Sequence, residues 1–368
     1  MLSRRTLLKT LSLTPLARAT AARAWPLRPS VLDGGARESL RTLAARRGVV
    51  FGSAAGSYQL GDSEFAAVLG REAGILVPEY ELKRNLIEPS PGHYDFSGCE
   101  TLVKFARNFG MGVRGHTLVW HASNPAWLPD AVQSRRDSSL MTDYIGTVMA
   151  RFKNNIHSWD VVNEAIAPGD GRKDGLRNSF WLEAFGPAFI DDAFHAARAA
   201  DPVAQLVYND WGCEAGAPDN DRFRAATLSF LEQALARGVP IDALGLQGHL
   251  AAFGAKVDQT KLARFLDDVK AIGLRILVTE HDVDDTGGPS AADERDRAVA
   301  DASRRFLDVV LANRATVAVL SWGLSDRFLH SPGLRQRLSG YSPRMLPLDA
   351  ELNRKPMWHA LAQSFAQA

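Results

Sequence analysis

The stretch Ser158-Trp159-Asp160-Val161-Val162-Asn163-Glu164-Ala165 combines branched and aromatic residues that suit a short buried strand with a polar pair, Asn163-Glu164, at its exit. A carboxylate at the mouth of a buried strand needs a chemical role. The pattern recurs in Arg275 to Val283, R-I-L-V-T-E-H-D-V, which carries Glu280 near its end. The two acids are 116 positions apart, and two strands each delivering one carboxylate suggest an acid/base and nucleophile pair facing one pocket.

Outward from these stretches the chain alternates regularly. Gly48–Gly56, Ile75–Leu82 and Met111–Trp120 predict three strands before Ser158, and Gln205–Trp211 and Ala243–Leu250 predict two between the acids. Val317–Trp322 is the eighth. Helical periodicity lies between them, over Asp62–Gly70, Cys99–Phe109, Leu140–Phe152, Phe180–Ala200, Asn220–Arg237, Thr260–Ile272 and Ala291–Ala312, with Pro356–Phe365 closing the chain. Asp62 reads as an N-cap with Glu64 in the first turn. Eight strand-then-helix units in this rhythm predict an α/β fold, a single (β/α)8 TIM barrel. The barrel is expected over 46–368, after a lead-in segment at 25–45.

The 368 residues are 46% hydrophobic and 23% charged with a formal net charge of +1, which fits an ordinary globular domain. No basic cluster offers nucleic acid a footprint, and no apolar run reaches the roughly 18 residues of a spanning helix. A monomer is the expectation. Cys99 and Cys213 are the two cysteines, and the sequence leaves their pairing open. Ser3-Arg4-Arg5-Thr6-Leu7-Leu8-Lys9, followed by Ala22-Arg23-Ala24, has the layout of a twin-arginine-type export signal over 1–24, with small residues at the cleavage site. Export would place the mature chain in the periplasm or outside the cell.

In such a barrel the chemistry sits at the carboxyl ends of the strands, where polar residues here follow one another. Glu79 and Lys83 follow strand two, His116 and Trp120 lie on strand three, Asn163 and Glu164 end strand four, and Asn209 and Asp210 end strand five. Gln247 and His249, then Glu280 and Asp282, then Trp322 belong to strands six, seven and eight. Singly, His249 could be a hydrogen-bonded core histidine and Asp282 a helix cap. On seven consecutive strand ends they describe a site. Carboxylates, amides, imidazoles and tryptophans together suit sugars. No glycine-rich phosphate loop is present and no cofactor is expected. A metal site is not expected either: His116 and His121, five apart, would face opposite sides of an extended strand and no third ligand is evident.

These residues resemble the family 10 glycoside hydrolases, whose typical member is an endo-β-1,4-xylanase with a (β/α)8 barrel. The segments that carry the resemblance are Arg114-Gly115-His116-Thr117-Leu118-Val119-Trp120-His121, Trp159 to Ala165, Leu246-Gln247-Gly248-His249-Leu250, Thr279-Glu280-His281-Asp282-Val283 and Trp322-Gly323-Leu324-Ser325-Asp326. The resemblance implies that Glu164 is the general acid/base and Glu280 the nucleophile of a retaining hydrolysis of xylan or xylo-oligosaccharides, with carboxyl groups about 5 to 5.5 Å apart. It further implies that His249 and Asp282 orient Glu280, and that Asn163 binds the sugar 2-hydroxyl. Gln247, His116 and Trp120 would wall the attacked sugar, Trp322 would cover it, and Glu79 and Lys83 would hold the next sugar outward.

The chain departs from that family at Glu79-Tyr80-Glu81-Leu82-Lys83-Arg84, where E-N-x-M-K-W is usual, at Trp211-Gly212, where Tyr-Asn is usual, and at His330 in place of a tryptophan. None removes a catalytic carboxylate, so the expectation is the same chemistry with a shifted preference along the glycan. Arg84 suggests acceptance of an acidic decoration such as a glucuronyl group. A glycosidase or transglycosylase acting on another β-glycan, and a binding protein that has lost catalysis, are the competing readings; the presence of both acids argues against the second.

Overall fold

The computed structural model describes residues 38–329 and 342–367, so the N-terminal arginine signal and His330 lie outside the described residues. Eight parallel strands form the barrel: β1 Val50–Ala55, β2 Ile75–Pro78, β3 Gly112–Gly115, β4 Ser158–Asn163, β5 Gln205–Asp210, β6 Ala243–Leu246, β7 Arg275–Asp284 and β8 Thr316–Ser321. Each pairs with the next, and β8 returns to β1 with Val50 opposite Ala318 and Phe51 opposite Val319, which closes the ring. Helices lie between the strands in sequence, as the alternation predicts. Inside the ring Val50, Ala54, Ile75, Val77, Val207, Leu277 and Leu320 pack a small apolar plug, while the larger apolar layer lies between strands and helices.

Local chemistry sets the element boundaries. Asp62 caps the helix Ser63–Glu72 by accepting from the backbone N–H groups of Glu64 and Phe65. The predicted helix over Phe180–Ala200 is two helices, Phe180–Phe185 and Ala188–Ala200, because Gly186 turns the chain at φ 66° and Pro187 lacks the N–H that continuation requires. The short helix Trp127–Arg135 has no counterpart in the sequence reading. Cys99 and Cys213 are separate buried thiols.

Two predicted strands are broken, and both breaks lie at the cleft. After Gly115 the third strand leaves its ladder, with the Thr117 hydroxyl and the Leu118 N–H both bonded to the Asp160 carbonyl at 3.0 Å, and rejoins β4 at Val119–Trp120. The sixth strand stops at Leu246, turns through Gly248 at φ 80°, and resumes as His249–Ala251 alongside Asp282–Asp284 of β7. The second strand ends at Pro78 rather than Leu82.

The two ends of the described chain meet on Glu72, whose side chain is fully buried. Its carboxylate accepts from the Leu40 N–H at 2.9 Å, the Trp358 indole at 3.1 Å and the Arg354 guanidinium at 3.1 Å. The first helix (Leu40–Arg46), the helix Ser63–Glu72 and the last helix (Pro356–Ala366) are thereby pinned together. Truncating a buried ionic partner leaves its counterpart uncompensated, at about 3 to 5 kcal/mol. Glu72→Ala is therefore expected to lower the thermal midpoint by about 4 to 7 °C, measured by calorimetry, with Glu72→Gln intermediate.

Candidate active site

Glu164 follows β4 with a left-handed backbone, φ 58°, that turns its side chain over the barrel mouth. Its N–H donates to the Asn209 carbonyl at 2.9 Å, so the end of β5 fixes this turn. Its two carboxylate oxygens are held separately: the Trp120 indole donates to Oε2 and the Gln247 amide to Oε1, each at 2.9 Å. Both are side-chain donors from flanking strand ends.

Glu280 is buried inside β7. Its Oε1 accepts from Asn209 Nδ2 at 2.8 Å, with His116 Nδ1 3.8 Å away, and its Oε2 faces His249 Nε2 at 3.3 Å. Burial alone would raise this carboxyl, but His116, His249 and the Asn209 amide outweigh it and hold the group down to about 2. Glu280 is an anion at any ordinary pH. The His249 Nδ1 bonds Asp282 Oδ1 at 2.7 Å, because the resumed sixth strand sets these residues directly opposite. Burial opposes charging of His249, yet Asp282 and Glu280 together hold its pKa well above the usual imidazole range, so both ring nitrogens donate.

Asn209 links the two acids, with its carbonyl on Glu164 and its amide on Glu280. The same Nδ2 also donates to Asn163 Oδ1 at 2.8 Å, and its Oδ1 accepts from the Thr279 hydroxyl at 2.6 Å. Asn163 keeps a buried Nδ2 donor that has no partner among the described residues. Gln247 repeats the bridge, since its carbonyl accepts the Glu280 N–H at 2.8 Å while its amide holds Glu164. Gly245 makes room for the arrangement: a Cβ there would sit 2.3 Å from Asn209 Oδ1.

The remaining expected residues close the outer wall. The Lys83 ammonium lies 5.5 Å from the Trp120 ring centre and 5.8 Å from that of Trp322. Burial depresses its basicity, against the pull of Glu280, Glu79 and Glu164. Glu79 is raised by burial, with Tyr80 and Lys83 opposing. Trp322 meets His116 edge to face at 5.3 Å. All eleven residues singled out from the sequence, Glu79, Lys83, His116, Trp120, Asn163, Glu164, Gln247, His249, Glu280, Asp282 and Trp322, thus converge on one cleft. From Glu164 this continues as a cavity of about 950 Å³ past Trp211, Asn220, His249 and Asp284.

Two expectations change. The break in the third strand removes the reason for placing His116 and His121 on opposite faces: His116 stands beside Glu280, and His121 Nε2 lies 4.0 Å from Glu164. Arg84 does not reach the cleft. Its guanidinium is buried, paired with Glu88 at 2.8 Å, donating to the Leu140 carbonyl and lying 4.1 Å from the Tyr144 ring centre, which rules out contact with a sugar decoration. Gly212 is required by its φ of 89°, and a Cβ there would meet the Phe223 ring at 2.8 Å. Asn209 stood among the strand-end residues without a role, and Asp160, buried between Arg114 and His116 at 3.0 Å from the imidazole, had no signal beyond being an acid inside a strand.

The glycosyl hydrolase family 10 model matches residues 39–364. Endo-1,4-beta-xylanase B of Thermotoga neapolitana is 33% identical over 331 residues, covering 88% of this chain and 90% of that protein. Xylanase 10B from Thermotoga petrophila, solved in complex with xylobiose, superposes with a TM-score of 0.79 at 30% identity, over 90% of this chain and 98% of that one. Native xylanase 10B from Thermotoga maritima gives 0.78 at 30% identity, over 89% and 98%. With the barrel, the paired acids and a model match over nearly the whole described chain in agreement, the protein belongs to glycosyl hydrolase family 10.

Proposed function

We propose that the protein is a retaining endo-β-1,4-xylanase that cuts internal bonds of xylan by double displacement. The observation that carries this reading is the pair of acids held in unlike environments by shared amides: Glu280 kept anionic by His249, His116 and Asn209, and Glu164 held by two neutral donors. The relatives' names and the xylobiose in the Thermotoga petrophila complex support the substrate class.

In the first step a Glu280 oxygen attacks the anomeric carbon while Glu164 passes its proton to the departing glycosidic oxygen. Trp120 and Gln247 keep that carboxyl aimed across the cleft. Forming the ester removes the negative charge near Glu164, which then takes a proton from water in the second step and regenerates Glu280. Asn163, its oxygen fixed by Asn209, turns its remaining donor to the 2-hydroxyl of the attacked sugar. His249 and Asp282 orient Glu280; Glu79 and Lys83 hold the next sugar outward, and His116, Trp120, Gln247 and Trp322 enclose the reacting one. Trp211, 41% exposed and backed by Phe223, offers a flat face on the leaving-group side. The leader at 1–24 would deliver the enzyme beyond the cytoplasm, and it would act as a monomer.

Glu280→Ala is expected to lower turnover by at least about 10⁴-fold, and added azide should restore release of an activated aryl leaving group, giving a glycosyl azide of inverted configuration seen by NMR. Residual wild-type-like hydrolysis of xylan by this variant would sink the reading. Gly245→Ala should push the Asn209 amide off Glu280 and Asn163 and cost on the order of 10²-fold in kcat, with a smaller change in KM. The depressed Glu280 carboxyl also predicts a pH effect on stability. Between about 2 and its ordinary 4.5 the unfolded chain binds the proton and the folded one does not, so stability rises with pH across that window. Unfolding midpoints from pH 2 to 5 should rise less steeply in Glu280→Gln than in the wild type.

A further inference from the structure

Two tyrosines stand uncovered on the rim beside the Glu79 and Lys83 wall. Tyr58, in the short turn Ser57–Gly61 after β1, is 59% exposed, and Tyr80, two residues after β2, is 40% exposed. Neither ring is loose. Tyr58 lies over Gly56, where a Cβ would sit 2.3 Å from its Cε1, meets Phe328 edge to face at 6.2 Å, and its hydroxyl accepts from Gln59 at 3.1 Å. Tyr80 bonds Glu79 through its phenol and carries the Lys83 ammonium 4.9 Å from its ring centre. Lys83 in turn reaches Trp120 and Trp322, so the tyrosines continue the aromatic wall that encloses the reacting sugar. Both phenols also feel the Glu79 and Glu81 carboxylates.

Rigid, exposed aromatic rings bordered by carboxylates match the two needs of a pyranose, an apolar C–H face to stack and hydroxyls to bond. We propose that Tyr58 and Tyr80 form a further sugar-binding position, one unit beyond the sugar held by Glu79 and Lys83, at the non-reducing end of the bound glycan. This rests on the xylanase reading above. Tyr80 thereby supplies an exposed aromatic face in the loop where Arg84, buried against Glu88 and Tyr144, supplies none. Tyr58 is a specificity-determining residue here and takes no part in the bond cleavage.

The test compares nitrophenyl β-xylobioside and β-xylotrioside, which share a leaving group and differ by the one sugar in question, on the full-length wild type, Tyr58→Ala and Tyr58→Phe. The third sugar should raise wild-type kcat/KM about 5- to 10-fold through KM. Tyr58→Ala should lose that gain while keeping xylobioside kinetics unchanged, and Tyr58→Phe, which preserves the ring, should keep it. No gain from the third sugar in the wild type, or a Tyr58→Ala loss equal on both substrates, would overturn the proposal. Wild-type failure on both substrates would instead overturn the xylanase reading itself.

Discussion

Asn209 and Gln247 each touch both acids, one through a side-chain amide and a main-chain carbonyl, the other with the roles reversed. Everything else in the cleft depends on this double clamp. Glu164 follows β4 and Glu280 lies in β7, with two strands between them, so no ladder hydrogen bond joins them directly. The strands between supply the connection at their carboxyl ends, where backbone groups run out of ladder partners and side chains can take over. Because each bridge uses a main-chain group at one end, the spacing of the acids follows from barrel geometry rather than from flexible side chains.

The electrostatics divide the same way. Glu280 sits among two imidazoles and an amide donor, Glu164 between an indole and an amide, and a single ring of strands gives the two identical functional groups unlike surroundings. Asp160 extends the pattern a layer deeper: buried between Arg114 and His116, it fixes the imidazole that faces Glu280. Such a chain of charges inside a protein is costly unless every member is satisfied.

Much of this was legible in the sequence, for a physical reason. A barrel strand is apolar almost throughout, so the acids, amides and imidazoles at its exit stand out without any structure, and those exits converge by topology alone. The boundaries of β3 and β6 were less legible, because their breaks depend on a carbonyl of β4 and on the left-handed Gly248 rather than on local propensity. Arg84 was misread because what decides its position, the rings of Tyr144, Trp127 and Trp181, lies far along the chain. Asn209 was visible as a strand-end residue, but its reach to two acids at once is a property of the closed ring.

The buried carboxylate of Glu72 carries a consequence for the order of assembly. It waits for Arg354, 282 positions downstream, and for the Trp358 indole in the last helix. Until those residues have been synthesised the acid has its neighbour Arg71 as a counter-charge, at 3.2 Å, but neither the second guanidinium nor the indole, and the last helix, which packs against the first, is missing. Consolidation of this corner of the barrel is therefore a long-range event that waits for the last helix.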